Sequence, residues 1–382
     1  MLVSLSNAQR EIQSHFTELL NDELIPGIRG MGEMPRSADA DEVSDHTAAR
    51  AAVWRALVEL GATRLLLPRE LGGGEYGQEG AVILAELLGA ALYTGPLLDT
   101  MIAAELLVNS GDCERARIAE IAEGAAVCVA ARESDADSYA HPGPFKVSGD
   151  GEGVSATRRF AGFVPDSRYL LVAGNGQSGY RAALIRRDDP AVSSRRMHET
   201  ARGELYAISL SSAPVLSWLD ERSGCCTSWS QTITNARIRQ AAYLVGLCQG
   251  ALDLTVARVT HRRQFGQVLG RFQVPAFRVA ELTARLDAAR WLVRATAWEA
   301  DNGHDTRLHA AQVLAMAADL TAVTARATVQ YHGAYGTTLE SDIRLYFLRA
   351  QIERVWLGAP RDLRKEVVPL LAEARANHDR LT

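Results

Sequence analysis

The feature that most limits the fold is a change of period in the middle of the chain. Between residues 125 and 216 apolar residues stop recurring at three- and four-residue spacings. They gather instead in short runs over 127–131, 145–147, 169–172, 182–185 and 206–210. Gly149-Asp150-Gly151 and Gly174-Asn175-Gly176 punctuate them. Short runs at that interval, divided by turn-forming residues, predict a small antiparallel barrel or sandwich. On either side the period is helical. Ile12, Phe16, Leu19 and Leu20 form one apolar face ended by Pro26, and a polar loop follows over 30–45. Helices are then predicted over 52–60 and 82–92 and onward through Leu107, and again from Ile233 nearly to the end. The expected class is α+β, in three parts: a helical domain at 1–124, a β domain at 125–224 and a helical bundle at 225–382.

A chain of 382 residues buries a core large enough for two or three domains. Its net charge of -5, with no block of like charge, argues against nucleic acid or an anionic membrane as partner. No run of 18 apolar residues is present, and residues 1–13 lack the layout of a signal peptide. Five cysteines, an odd number without metal-type spacing, predict a reducing cytoplasm, no metal, and a structural role for the neighbouring pair Cys225 and Cys226.

Two later segments bear on chemistry. The first closes a helical pattern in which Ala242, Val245, Leu252, Val256 and Val259 share one predicted buried face. It reads Arg262-Arg263-Gln264-Phe265-Gly266, then Gln267-Val268-Leu269-Gly270-Arg271-Phe272-Gln273. Gly266 and Gly270 break the helix, and a new one carries Val279, Leu282, Leu286 and Leu292. Arginine beside such a turn can hold a phosphate through two parallel hydrogen bonds, or simply complement a helix C-terminus. The second segment, Gln330-Tyr331-His332-Gly333-Ala334-Tyr335-Gly336-Thr337-Thr338, follows an alanine-rich helix over 310–329. Its glycines allow close backbone approach to a ligand, and His332 is expected to cap carbonyls rather than catalyse.

Together these segments resemble the Arg-x-Gln-Phe-Gly…Phe-Gln and Gln-x-His-Gly-Gly-x-Gly signatures of the acyl-CoA dehydrogenase family. Leu65-Leu66-Leu67-Pro68-Arg69-Glu70-Leu71-Gly72-Gly73-Gly74 is similar to its N-terminal helical domain. The resemblance spans essentially the whole chain. It implies the family's fold: an N-terminal helical domain, a middle antiparallel β-barrel and a C-terminal four-helix bundle. It also implies FAD as cofactor, an acyl thioester as substrate, and an oligomer in which each FAD straddles two subunits. Arg262, Phe265, Gln330 and Gly333 would then reach a neighbour's FAD, with Ala334 in place of the usual second glycine.

The departures are as specific as the matches. Family members remove an α-proton with a glutamate while a hydride passes to the flavin. Leu357 occupies the usual base position, and at the alternative position on the long helix stands Ala236, beside Arg237, a substrate-binding candidate. Glu340, Asp342, Glu353 and Asp362 are expected to be surface charges. In the β domain Arg132 replaces a threonine at the flavin, and the Gly-Ser turn after it becomes Ser134-Asp135-Ala136-Asp137. Arg158-Arg159-Phe160-Ala161-Gly162 stands where the family has Lys-x-Trp-Ile-Thr, so Phe160 can stack on the ring while the threonine donor is missing. Three readings follow: a dehydrogenase with an unusual or borrowed base, a non-catalytic subunit completing a partner's FAD site, or a flavin-dependent monooxygenase or other tailoring enzyme on the same fold.

Overall fold

The computed structural model describes residues 7–19, 40–74, 76–110, 114–149, 151–176, 179–197, 205–219 and 229–381. Its contacts divide it into two compact units. Leu20, Pro26, Cys225 and Cys226 lie outside the described residues.

One unit, within 34–77 and 94–236, holds two four-stranded sheets. Helix α2 (Ala40–Glu59) begins before the end of the predicted loop, so the 30–45 loop is shorter than its polarity suggests. Helices α4 (Leu97–Val108) and α5 (Arg115–Ala122) precede two four-stranded sheets. The first has the order β1 (Val127–Ala130), β4 (Tyr169–Gly176), β5 (Gly179–Arg186), β8 (Ser217–Leu219). The second has the order β2 (Lys146–Val147), β3 (Gly153–Gly162), β7 (Leu205–Pro214), β6 (Val192–Met197). The five strand runs read from the sequence fall on β1, β2, β4, β5 and β7. Strands β3 and β6 carry too many arginines and serines to announce themselves. Pairing is antiparallel except between β1 and β4, where the intervening β2 and β3 provide the crossover a parallel pair needs. The inward residues, among them Val154, Leu170, Val172, Ile185, Ile208 and Leu210, form one dry core. Edge strand β1 is protected by α4: the Asp99 carboxylate accepts from the Val129 N–H at 3.0 Å, and the Thr100 hydroxyl accepts from the Val127 N–H at 3.0 Å.

The other unit comprises α1 (Asn7–Leu19), α3 (Gly77–Ala90) from Gln78 onward, and α6 (Trp229–His261) from Arg237 onward. The rest of it is α7 (Gln273–Asp301), α8 (Arg307–His332), α9 (Asp342–Glu353) and α10 (Pro360–Leu381). Ile12 and Phe16 are buried as their spacing predicts, and so are Ala242, Val245, Leu252 and Val259, whereas Val256 turns outward at 40% exposure. Helix α8 is apolar enough to pass as a membrane span (mean hydropathy 1.3), yet most of it is buried against α7, α9 and α10. Its alanines let neighbours pack close; Ala311, Ala317 and Ala318 are almost wholly inaccessible. Helices α3 and α6 cross backbone to backbone. A Cβ on Gly89 would lie 2.0 Å from the Tyr243 carbonyl oxygen, and one on Gly246 would lie 1.9 Å from that of Glu86. At the far end of α7, Asp301 accepts from the N–H groups of Gln78 (2.7 Å) and Glu79 (2.8 Å), capping the first turn of α3.

Candidate functional site

In the helical unit the chain after α6 turns back on itself at once. Arg263 and Gln264 pair with Val268 and Gln267 as a two-residue hairpin, β9 (Arg263–Gln264) and β10 (Gln267–Val268). The hairpin, rather than a simple glycine break, ends the helical run. Its tip residues, Phe265 (φ 51°) and Gly266 (φ 83°), both take positive φ, the requirement of a type I′ turn. Glycine adopts that conformation freely; for phenylalanine it costs roughly 1–2 kcal/mol. Phe265 is nonetheless 91% exposed, with Phe272 edge-on to its ring at 6.4 Å. Arg262 beside it is exposed and makes no ion pair among the described residues.

Gln330 and Gly333 come to the same end of the unit. Arg258, one turn before Arg262 on α6, donates to the His332 carbonyl at 3.1 Å and lies over the Tyr335 ring at 5.1 Å. Gln330 is exposed and helps line a cleft of about 570 Å³ with Arg278, Arg326 and Tyr331. Gly333 sits at φ 63°, ψ -149°, a combination essentially reserved for glycine, and Ala334 follows it in the open. His332 is buried and its Nδ1 lies 2.9 Å from the Thr328 carbonyl, in the capping role expected of it. Burial holds its pKa below the ordinary histidine value.

The position expected for the base is sealed. Leu357 is 4% exposed, and its carbonyl accepts from Arg237 Nε at 3.2 Å. The two terminal nitrogens of Arg237 grip both oxygens of Glu366, at 2.7 and 3.0 Å. Arg237, a substrate-binding candidate on sequence, thus has its charge taken up internally, and Ala236 before it is buried. Glu353 corrects the sequence reading. It is 4% exposed rather than a surface charge, receiving Gln240 Nε2 at 3.0 Å with Arg349 3.6 Å away. Two others in that reading behave as expected: Glu340 is exposed, and Asp362 pairs with Lys365 at the surface, while Asp342 is half-buried.

In the β-bearing unit Arg158 is fully buried and was missed as a structural residue, although strand alternation points it inward. Its guanidinium donates to the carbonyls of Gly143, Pro144, Thr157 and Ala173 at 2.8–3.2 Å. Burial lowers its pKa to about 10, which leaves it a cation at neutral pH. The register of β3 slips between Arg158 and Ala161, and Phe160 occupies that bulge at φ 60°. Arg132 lies over its ring at 4.8 Å and Arg159 at 5.1 Å. The turn after Arg132 is closed by Asp137, which accepts from Ser134 N (2.7 Å), Glu133 N (3.0 Å) and the Ser134 hydroxyl (3.0 Å). The buried thiols are structural: burial pushes Cys248 up to about 11, and Cys128 is inaccessible.

Comparison with known proteins matches residues 226–365 to the C-terminal domain of acyl-CoA dehydrogenase. The acyl-CoA dehydrogenase IpdE2 of Mycolicibacterium smegmatis (strain ATCC 700084 / mc(2)155) is 30% identical over 311 residues, covering 81% of this chain and 85% of that protein. The chain belongs to the acyl-CoA dehydrogenase family. IpdE2 of Mycobacterium tuberculosis (strain ATCC 25618 / H37Rv) is 27% identical over 81% of this chain and 84% of its own length. The fold matches the ChsE4–ChsE5 complex from Mycobacterium tuberculosis with a TM-score of 0.83 and 22% identity, over 98% of this chain and 99% of that one. Butyryl-CoA dehydrogenase from Megasphaera elsdenii matches with a TM-score of 0.81 and 18% identity, over 97% and 100%. The acyl-CoA dehydrogenase family is one of oxidoreductases and implies FAD.

The two units fit that cofactor unequally. Exposed Arg262, the hairpin tip and the open backbone at Gly333 suit a diphosphate approached from outside. At Phe160 two guanidinium groups already lie over the ring, and Ala161-Gly162 offers no side-chain donor. The residues of the β-bearing unit therefore do not fit a stacked flavin ring as they stand.

Proposed function

We propose that this chain is the non-catalytic subunit of a heteromeric, cytoplasmic acyl-CoA dehydrogenase. It presents Arg262, Phe265, Gln330 and Gly333 to FAD anchored in a partner chain that oxidises an acyl thioester, bound to CoA or to a carrier protein. The observation that carries this is the sealed base position: Leu357 is buried and Arg237 is neutralised by Glu366. Glu366 is no substitute base, because both its oxygens are engaged by the Arg237 guanidinium. FAD, when bound, supplies the hydride acceptor. What this chain contributes is positive charge for a diphosphate, through Arg262, and an aromatic tip held clear of its own surface. Family members that work in pairs support the reading, since one fold neighbour is itself a complex, ChsE4–ChsE5.

A second reading rests on Glu353, a buried carboxylate received by Gln240. As the base of a self-sufficient dehydrogenase it would have to be released from that contact. The two readings separate in one assay of acyl-CoA oxidation with an artificial electron acceptor. The chain alone is expected to be inactive, and the chain with a glutamate-bearing family partner active. Robust turnover by the purified chain, abolished by Glu353→Gln, would establish the second reading instead.

A further inference from the structure

The surroundings of Phe160 say more than that a donor is missing. In a family whose flavin stacks on the aromatic residue at this strand position, that face should be open. Here Arg132 and Arg159 place their guanidinium carbons 4.8 and 5.1 Å from the ring centroid, which is the range of favourable cation–π contact. Neither arginine has a carboxylate partner among the described residues, and Arg132 Nε is buried without an acceptor there. Among those residues, the ring and the backbone are what holds them in place. The backbone does so firmly: the Arg159 N–H donates to the Arg132 carbonyl at 2.7 Å, tying the two arginines' chain segments together. Arg158, locked to four carbonyls next to the bulge, fixes the strand from which Phe160 projects. Asp137 closes the turn that follows Arg132, so that loop is preorganised as well.

The geometry points to a self-filled site: Arg132 and Arg159 lie over the Phe160 ring where a flavin would stack, and the chain holds no flavin of its own. This rests on, and deepens, the reading of the chain as a subunit that completes a partner's FAD site. No bond is made or broken; the arginines compete with a planar ligand for contact with the ring. A stacked isoalloxazine would have to displace both cations and leave them without a counter-surface.

The test uses the purified full-length chain without partner, titrated with FAD and followed by flavin fluorescence. The wild type is expected to bind weakly and below one flavin per chain. The double variant Arg132→Thr/Arg159→Ala, checked to be folded by its melting temperature, is expected to bind about 5- to 30-fold more tightly, the worth of two exposed cation–π contacts. No gain in that variant overturns the proposal, as does stoichiometric flavin on the wild type. Phe160→Trp supplies a second readout that does not depend on affinity. Its emission should ignore FAD while both arginines are present and be quenched once Arg132→Thr and Arg159→Ala are both added; quenching with both arginines present overturns the closure. Failure of the lending role shows elsewhere: Arg262→Ala would leave the flavin content of the assembled complex unchanged, whatever the free chain does.

Discussion

At the scale of single residues, the structure separates charges that are held from charges that are offered. Arg237 and Glu366 are held. Glu366→Gln should destabilise the chain by roughly 2–3 kcal/mol, less than the roughly 3–5 typical of a fully buried pair because Glu366 keeps some solvent exposure. A fall in melting temperature reports it, and a Tm unchanged to within about a degree would show the clamp to be idle. Leu357→Glu probes the same spot from the other side. The natural partner for the new carboxylate is already taken, so the variant should lose roughly 3 kcal/mol of stability and gain no turnover; a gain of acyl-CoA oxidation would contradict it. His332 gives a pH signature. Burial lowers its pKa, so the unfolded chain takes up a proton more readily than the folded one as pH falls through 6.5, and stability drops there. Melting curves at about pH 8 and about pH 5.5 should show that loss shrinking in His332→Gln. Arg158 shows why such roles were only partly legible. In its segment the sequence points to Phe160 as the cofactor contact and gives Arg158 no part. Its own part rests on the carbonyls of Gly143, Pro144 and Ala173, brought to it by strand pairings that no local pattern encodes.

At the scale of elements, the hairpin after α6 is the clearest departure from what stability alone would select. Phe265→Gly should stabilise the isolated chain by about 1 kcal/mol, since it relieves positive-φ strain and gives up only an edge contact with Phe272. If Phe265 serves the partner's cofactor, the same change should weaken flavin retention in the complex. Stabilisation without loss of flavin would make the tip ornamental. Helices were legible because their periodic faces are real: Leu282 and Leu286 on α7 are buried where the spacing put them, though Leu292 is 48% exposed. The strands were legible where both neighbours along the chain were apolar. Strand β6, with Ser193, Ser194, Arg195 and Arg196 exposed, carries no such mark, and its place at the edge of a sheet comes from pairing with β7. That neither expected base position, Leu357 nor Ala236, holds a carboxylate is legible in the sequence. The ion pair beside Leu357 is not, because Arg237 and Glu366 are 129 residues apart.

At the scale of the whole molecule, the exposed apolar residues call for a covering surface. Val274 (75% exposed), Phe277 (69%) and Val368 (67%) stand out on α7 and α10. Phe277→Glu should therefore shift the chain from oligomer to monomer in sedimentation at micromolar concentration, with a melting-temperature change equivalent to under about 0.5 kcal/mol, as for a surface position. A wild type that is already monomeric would remove the prediction. The crossing of α3 and α6 has a mechanical consequence for the same assembly. At Gly89 and Gly246 no side chain lies between the two backbones, so the joint has nothing to compress and no rotamer to change. It resists separation and yields only to rotation, which makes it a pivot. From Gly246 to the end of α6 at His261 is roughly 22 Å at the helical rise of about 1.5 Å per residue. A tilt of about 5° at the pivot would carry Arg262 by roughly 2 Å, more than a hydrogen bond tolerates. How far the backbones can turn against each other at Gly89 and Gly246 thus sets how accurately this arm delivers its arginine.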